Sequence, residues 1–251
     1  MINNKINEFH KKLELAIAQP LNLILEGENG VGKEYFVNLT HEKRAWTEGL
    51  ITFDWECDHS CQLKVLDDLV KYHLMELMDL SNPQRSTYFF RRIDLLSQQV
   101  QMEIFELLDS EAKSYGLSRS QLHQLSLIAS LEKKNGNGNR QKDFTLNPFL
   151  ELFPLRIKIP PLRQRKEELG SLMHKILESV NNQQNRKVLG FAFETFYFFI
   201  DYDWPNNIDE LRSEIERIVT LTKDNDLIRP EVLSERLIKP RQVLGADNPV
   251  I

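Results

Sequence analysis

Apolar residues change their spacing partway along the chain and so divide it into two regions. Ile6, Phe9, Leu13 and Ile17 recur at the interval of one helical face, and the amphipathic helix they predict ends before Pro20. Five short apolar runs follow, Leu21 to Leu25, Leu50 to Trp55, Ser86 to Phe90, Leu125 to Ala129 and Leu155 to Ile159, each the length of a buried strand. Between them lie helical patterns: Glu34 to about Leu39, then Leu63, Leu66, Leu69, Val70, His73, Leu74 and Leu77 up to the break at Asn82-Pro83, then Ser97 to Ser110 with Val100, Ile104, Leu107 and Leu108 facing a core. Phe144 to Leu152 reads as a short helix interrupted at Pro148, and Asn135 to Asn139 as a loop. Strands alternating with helices predict an α/β fold on a parallel sheet. After Pro160-Pro161 the strands stop, and Leu169 to Val180, Ala192 to Tyr202, Ile208 to Thr222 and Arg229 to Leu237 predict a smaller all-helical domain, with Asn207 an N-cap and Glu210 three residues on. The expected organisation is an α/β domain over 1–160, a helical domain over 161–240 and a loose tail over 241–251.

The first strand runs into the sharpest chemical signal. Gly27-Glu28-Asn29-Gly30-Val31-Gly32-Lys33 fits G-x-x-x-x-G-K, the phosphate-binding loop. Its glycines let backbone N–H groups converge on phosphate oxygens, the helix starting at Glu34 offers its positive end, and Lys33 can reach the terminal phosphates. ATP or ADP is the expected cofactor; a glycine-rich turn that binds nothing is the alternative. Glu34 stands where a Ser or Thr hydroxyl usually holds Mg²⁺.

Composition adds boundaries. With 251 residues, 41% of them hydrophobic and 27% charged, the chain can bury a core, and no apolar run nears the roughly 20 residues of a membrane helix. The start, Met1-Ile2-Asn3-Asn4-Lys5, lacks a signal peptide, so the cytoplasm is the expected location. A net charge of −5 argues against a broad nucleic-acid surface, though a local basic patch stays open. Cys57-Asp58-His59-Ser60-Cys61 could hold a metal through both thiols and His59, but no second Cys/His pair follows, and a polar turn with reduced thiols is the expectation.

The order of these stretches resembles the AAA+ ATPase domain of the sigma-54 activators, the bacterial enhancer-binding proteins. The resemblance spans about Asn4 to Leu237. It is strongest at Gly27 to Glu34, at Ile159-Pro160-Pro161-Leu162-Arg163-Gln164-Arg165 and at Tyr202 to Leu211, where the family writes GESGTGKE, LPPLRER and YDWPGNVREL. It implies a P-loop AAA+ core with a helical lid, and Glu after the P-loop lysine is the family's own residue. The family's third strand ends in an Asp-Glu pair that holds the Mg²⁺ water shell and polarises the attacking water; here those places are Arg91 and Arg92. The sensor Asn falls on Glu132, the two arginine fingers on Thr145 and Glu151, and the lid Arg on Asp209. Phosphoryl transfer depends on metal and charge positioning, and an arginine finger alone is worth about 10³ to 10⁵ in rate, so no catalytic residue is assigned and efficient hydrolysis is not expected.

The sigma-54 contact loop, GAFTGA, should interrupt the helix between the second and third strands, yet Gln62 to Leu77 reads as one helix without it. Neither a helix-turn-helix after residue 240 nor a receiver domain before residue 1 is expected. Three fates are open for Arg91 and Arg92: they neutralise a bound nucleotide's phosphates in place of a metal, they pair with Glu132 or Asp209 and close the pocket, or they point to solvent. The leading expectation is a pseudo-ATPase acting as a regulatory scaffold on a protein partner, another AAA+ protein being one candidate, and standing alone as a monomer or dimer. The second is a transcription-linked regulator contacting DNA or RNA polymerase, supported locally by Arg163, Arg165 and Lys166. The third is an active NTPase using Asp94 for its metal. Phe191, Phe193, Phe196, Tyr197, Phe198 and Phe199 crowd one lid helix, as core or as a docking surface.

Overall fold

The computed structural model describes residues 2–19, 21–44, 49–56, 58–73, 78–79, 86–118, 121–125, 127–132 and 148–238. The chain divides into two compact units, Met1–Pro161 and Leu162–Ile251.

In the first unit, α1 (Ile2–Ala18) leads to β1 (Leu23–Gly27), α2 (Lys33–Lys43), β2 (Leu50–Asp54), α3 (His59–Asp68), β3 (Thr87–Arg91), α4 (Gln98–Ser114), β4 (Leu127–Glu132) and β5 (Leu155–Lys158). The five strands form one parallel sheet in the order β2-β3-β4-β1-β5. The period-two alternation of strands sorts its side chains onto two faces. Leu23, Leu25 and Phe89 join Phe9, Leu13, Phe36 and Val37 of α1 and α2 on one side. Ile24, Tyr88 and Phe90 join Val100, Ile104 and Leu108 of α4 on the other. The inner strands β1, β3 and β4 are therefore covered twice and apolar almost throughout, whereas the edge strands alternate, with Thr52 of β2 and Arg156 and Lys158 of β5 exposed. Buried Asn22 fixes one edge: its amide Nδ2 donates to the Leu152 carbonyl at 2.9 Å and its Oδ1 accepts from the Leu127 N–H at 3.0 Å.

Helix α1 packs on α2, the helix of the glycine loop, through Phe9 and Phe36, whose rings meet edge-to-face at 4.9 Å. Its C-terminal end is closed by Arg44, which donates to the carbonyls of Ala16, Gln19 and Leu21 at 2.7 to 3.3 Å. Burial pushes that guanidinium down to about 10.

Several expectations change. The helix after β2 is α-helical only to Asp68 and continues as a π turn over Leu69–His73, which winds an extra residue into the turn and re-phases the apolar face. Leu74, Leu77 and Asn82-Pro83 lie outside the described residues, as do 133–147 with Thr145 and Phe144, and the tail 239–251. Cys61 is disulfide-bonded rather than a reduced thiol, which removes a thiolate from the metal reading; Cys57 lies outside the described residues. Asp58 supplies the polar turn, capping α3 by accepting from the Cys61 N–H at 2.9 Å.

The second unit contains α5 (Lys166–Gln184), β6 (Gly190–Phe191), α6 (Phe193–Asp201), α7 (Asn207–Leu221), β7 (Leu227–Ile228) and α8 (Glu235–Ile238). It is not all-helical, because β6 and β7 pair in parallel; two residues are too few to carry a readable alternation. The last predicted helix splits into a 3₁₀ turn at Pro230–Val232 and the short α8. Asn206, not Asn207, takes the N-cap of α7. Asn207 is left-handed (φ 52°) and its Oδ1 accepts the Leu162 N–H at 2.8 Å, while Glu210 reaches back to accept the Asn206 N–H at 3.0 Å. Part of the aromatic cluster is core: Phe199 is fully buried on Trp204, whose indole N–H donates to the Phe199 carbonyl, whereas Phe193 and Tyr197 are exposed.

Glu214, on the buried face of α7, holds the end of this unit together. Its carboxylate accepts from Arg217 at 2.7 Å, from the Ser234 N–H at 3.0 Å and from Arg236 at 3.1 Å. Burial alone would raise its pKa, but these hydrogen bonds and the Arg217 charge outweigh it and hold the carboxyl below its ordinary 4.5. A depressed carboxyl contributes its stability above the unfolded value and loses it as pH falls through the folded one. Glu214→Ala is therefore expected to cost about 3 kcal/mol at pH 7 in urea unfolding. The gap from the unsubstituted chain should close as pH falls below 4.5, and a gap that stays constant with pH would contradict the assignment.

Candidate functional site

Parallel pairing lines up the C-terminal strand ends, the edge at which open α/β sheets take their ligands. In register, Asp54 lies beside Arg91, and Gly27 beside Glu132. Across the sheet order, the edge therefore presents Asp54, Arg91, Glu132 and Gly27 in turn.

The glycine loop leaves this edge at Gly27. A Cβ there would fall 2.8 Å from the Val31 Cγ2 and 3.3 Å from the Ile159 carbonyl, so only glycine fits beneath the loop. Gly30 (φ 70°) and Gly32 (φ 92°) take the left-handed conformations that turn the backbone inward, and Val31 is fully buried as the loop's anchor. Asn29 Oδ1 accepts from the Gly30 N–H at 3.1 Å. No side chain caps α2, which starts at Lys33. The Lys33 Nζ donates to the carbonyls of Gly27 and Glu28, at 3.1 and 2.8 Å, so it lies folded over the loop from which it could reach a phosphate.

The two arginines at the end of β3 diverge. Arg91, whose side chain is 42% exposed, directs Nε to Glu34 Oε1 at 3.1 Å and Nη1 to Asp54 Oδ2 at 3.0 Å. It thus ties the sheet edge to the first turn of α2. Arg92 turns the other way because its backbone is left-handed (φ 59°), pinned by the bond from its N–H to Ser130 Oγ at 3.0 Å. Its guanidinium, 17% exposed, meets Asp94 at 2.9 Å, Glu132 at 2.8 Å and Glu56 at 3.9 Å. Asp94 Oδ1 also accepts the Glu132 N–H at 3.1 Å. The Asp94 hydrogen bonds, helped by the charges of Glu132 and Glu56, outweigh burial and raise the Arg92 pKa.

Of the three fates open from the sequence, the Arg92–Glu132 pairing is the one formed; Asp209 lies in the first turn of α7, in the second unit. Glu151 lies in a 3₁₀ turn over Pro148–Leu152. The basic trio Arg163, Arg165 and Lys166 is not a surface patch, since the Arg165 side chain is buried and 3.5 Å from Glu168. The sequence reading missed Asp54, Glu56 and the structural role of Asp94. Asp54 had a findable signal, because it ends the strand that pairs with β3.

The arginines compete with a magnesium ion for the acids of this site. Glu34, Asp54, Glu56, Asp94 and Glu132 all lie within 3.9 Å of an arginine nitrogen. Among the described residues no group of three or more His, Cys, Asp or Glu side chains could hold a metal.

The second unit matches the model of the AAA+ ATPase lid domain over residues 163–248. The phenol regulator MopR of Acinetobacter guillouiae is 24% identical over 236 residues, which cover 88% of this chain and 41% of MopR. The transcriptional regulatory protein ZraR of Escherichia coli K12 is 24% identical over 240 residues, 90% of this chain and 52% of ZraR. The chain is an AAA+ homologue of the sigma-54 activators. Crystallised NtrX from Brucella abortus has the same fold, with a TM-score of 0.67 at 17% identity over 96% of this chain and 56% of NtrX. This AAA+ chain thus spans about half the length of the relatives it matches. No helix among its described residues is long and apolar enough to cross a membrane.

The unlike environments of the two arginines separate their costs. Arg92→Ala strands the crowded carboxylates of Asp94 and Glu132 and should lower stability by about 2 kcal/mol. Arg91→Ala breaks only exposed pairs and should cost less than about 1 kcal/mol. Chemical denaturation of both variants checks this, and equal losses would contradict it.

Proposed function

We propose that this AAA+ chain is a regulatory protein that binds ATP or ADP at its P-loop without hydrolysing it efficiently and acts through contacts with a protein partner. The observation that carries the reading is the end of β3, which delivers Arg91 and Arg92 into ion pairs where the family's Asp-Glu pair would organise metal and water. Nucleotide binding draws support from the left-handed glycines, the uncapped start of α2 and Lys33, and from NtrX, which was crystallised in complex with ATP and with ADP. The proposed binding set is Gly27 to Glu34 together with Arg91; Arg92 is held in the carboxylate cluster and serves the frame of the site. A cytoplasmic location and a place in transcriptional control are part of this proposal, since ZraR is a transcriptional regulatory protein and MopR a regulator by name. The exposed pair Phe193 and Tyr197, with rings 5.0 Å apart, is one surface available to a partner.

Hydrolysis through Asp94 draws no support from the geometry, because both of its carboxylate oxygens are engaged by Arg92. The purified chain mixed with Mg²⁺ and ATP is expected to release phosphate no faster than its Lys33→Ala variant. Turnover that depends on Lys33 would overturn the proposal.

A further inference from the structure

We infer that the P-loop takes its nucleotide free of magnesium, with the Arg91 guanidinium standing in for the metal. This rests on the nucleotide-binding part of the function proposed above. Glu34 is the second residue of α2, in the turn that follows the loop. Arg91 Nε lies 3.1 Å from its carboxylate and Nη1 lies 3.0 Å from Asp54, so a permanent positive charge already bridges the loop helix and the sheet edge. A magnesium ion carried in with the nucleotide would approach that charge and be repelled by it. A metal-free nucleotide instead brings its full negative charge to Lys33 and Arg91 together.

The exchange costs little. Glu34 and Asp54 are exposed partners, and ion pairs of that kind are worth about 0 to 1 kcal/mol. A phosphate oxygen can replace the Glu34 carboxylate, and the planar guanidinium can hold two phosphate oxygens at once. Arg92 stays out of the exchange, because the bond to Ser130, its left-handed backbone and its contacts with Asp94 and Glu132 fix it in place. The ligand is thus a nucleoside di- or triphosphate in the form that predominates without divalent cations.

The test is calorimetric titration of the full chain with ATP and with ADP, in EDTA and in excess Mg²⁺, alongside Arg91→Ala and Lys33→Ala. Binding should be at least tenfold tighter in EDTA than in Mg²⁺. Arg91→Ala should weaken the EDTA titration by about tenfold and shrink that ratio, and Lys33→Ala should abolish both. Binding that requires Mg²⁺, or that Arg91→Ala leaves unchanged, overturns the inference while nucleotide binding itself stands. No binding in either buffer overturns both.

Discussion

The site depends on one electrostatic arrangement: two guanidinium groups embedded among five carboxylates at the C-terminal edge of a parallel sheet. A nucleotide-hydrolysing site of this architecture keeps its carboxylates free for a metal and its water, and draws its cations from elsewhere. Here the carboxylates are paired with two adjacent arginines, the last residue of β3 and the one after it. Burial sets how firmly. Arg92, Asp94 and Glu132 have side chains 16 to 19% exposed and are screened little, so they act as a structural knot between β3 and β4. Arg91 is open to water and can exchange partners.

The backbone explains why adjacent arginines diverge. Arg91 is the last residue of β3 and projects from the sheet edge toward α2, whereas Arg92 enters the left-handed region and swings into the next turn. That conformation is uncommon for a residue with a Cβ, and the Ser130 hydroxyl and the Asp94 fork hold it there. The Asp94 carboxylate also accepts the Glu132 N–H, so the turn after β3 and the end of β4 are one hydrogen-bonded unit.

Much of this was legible in the sequence because its signals are local. The glycines of the loop, the five apolar runs and the strand-to-helix junction at Lys33 depend on neighbours within a few residues, and each formed where its spacing pointed. The ion pairs were harder, because they depend on strand order. Glu132 could be proposed as a partner of Arg92, but Asp54 becomes one only once β2 lies beside β3. Asp94 reads in the sequence as a candidate metal ligand; a left-handed turn, invisible in the letters, makes it an arginine partner instead. In the second unit the β6–β7 pair and the displaced cap at Asn206 were missed for a related reason. A two-residue bridge has no period, and Asn207 bonds to the backbone of Leu162, far away in sequence.

The position of the positive charge facing a bound nucleotide can be observed directly. Crystals grown with ATP and Mn²⁺ are expected to show no manganese anomalous peak between the start of α2 and the end of β3, with the Arg91 guanidinium in that place. A manganese peak there, held by Glu34 or Asp54 with Arg91 swung away, would contradict it.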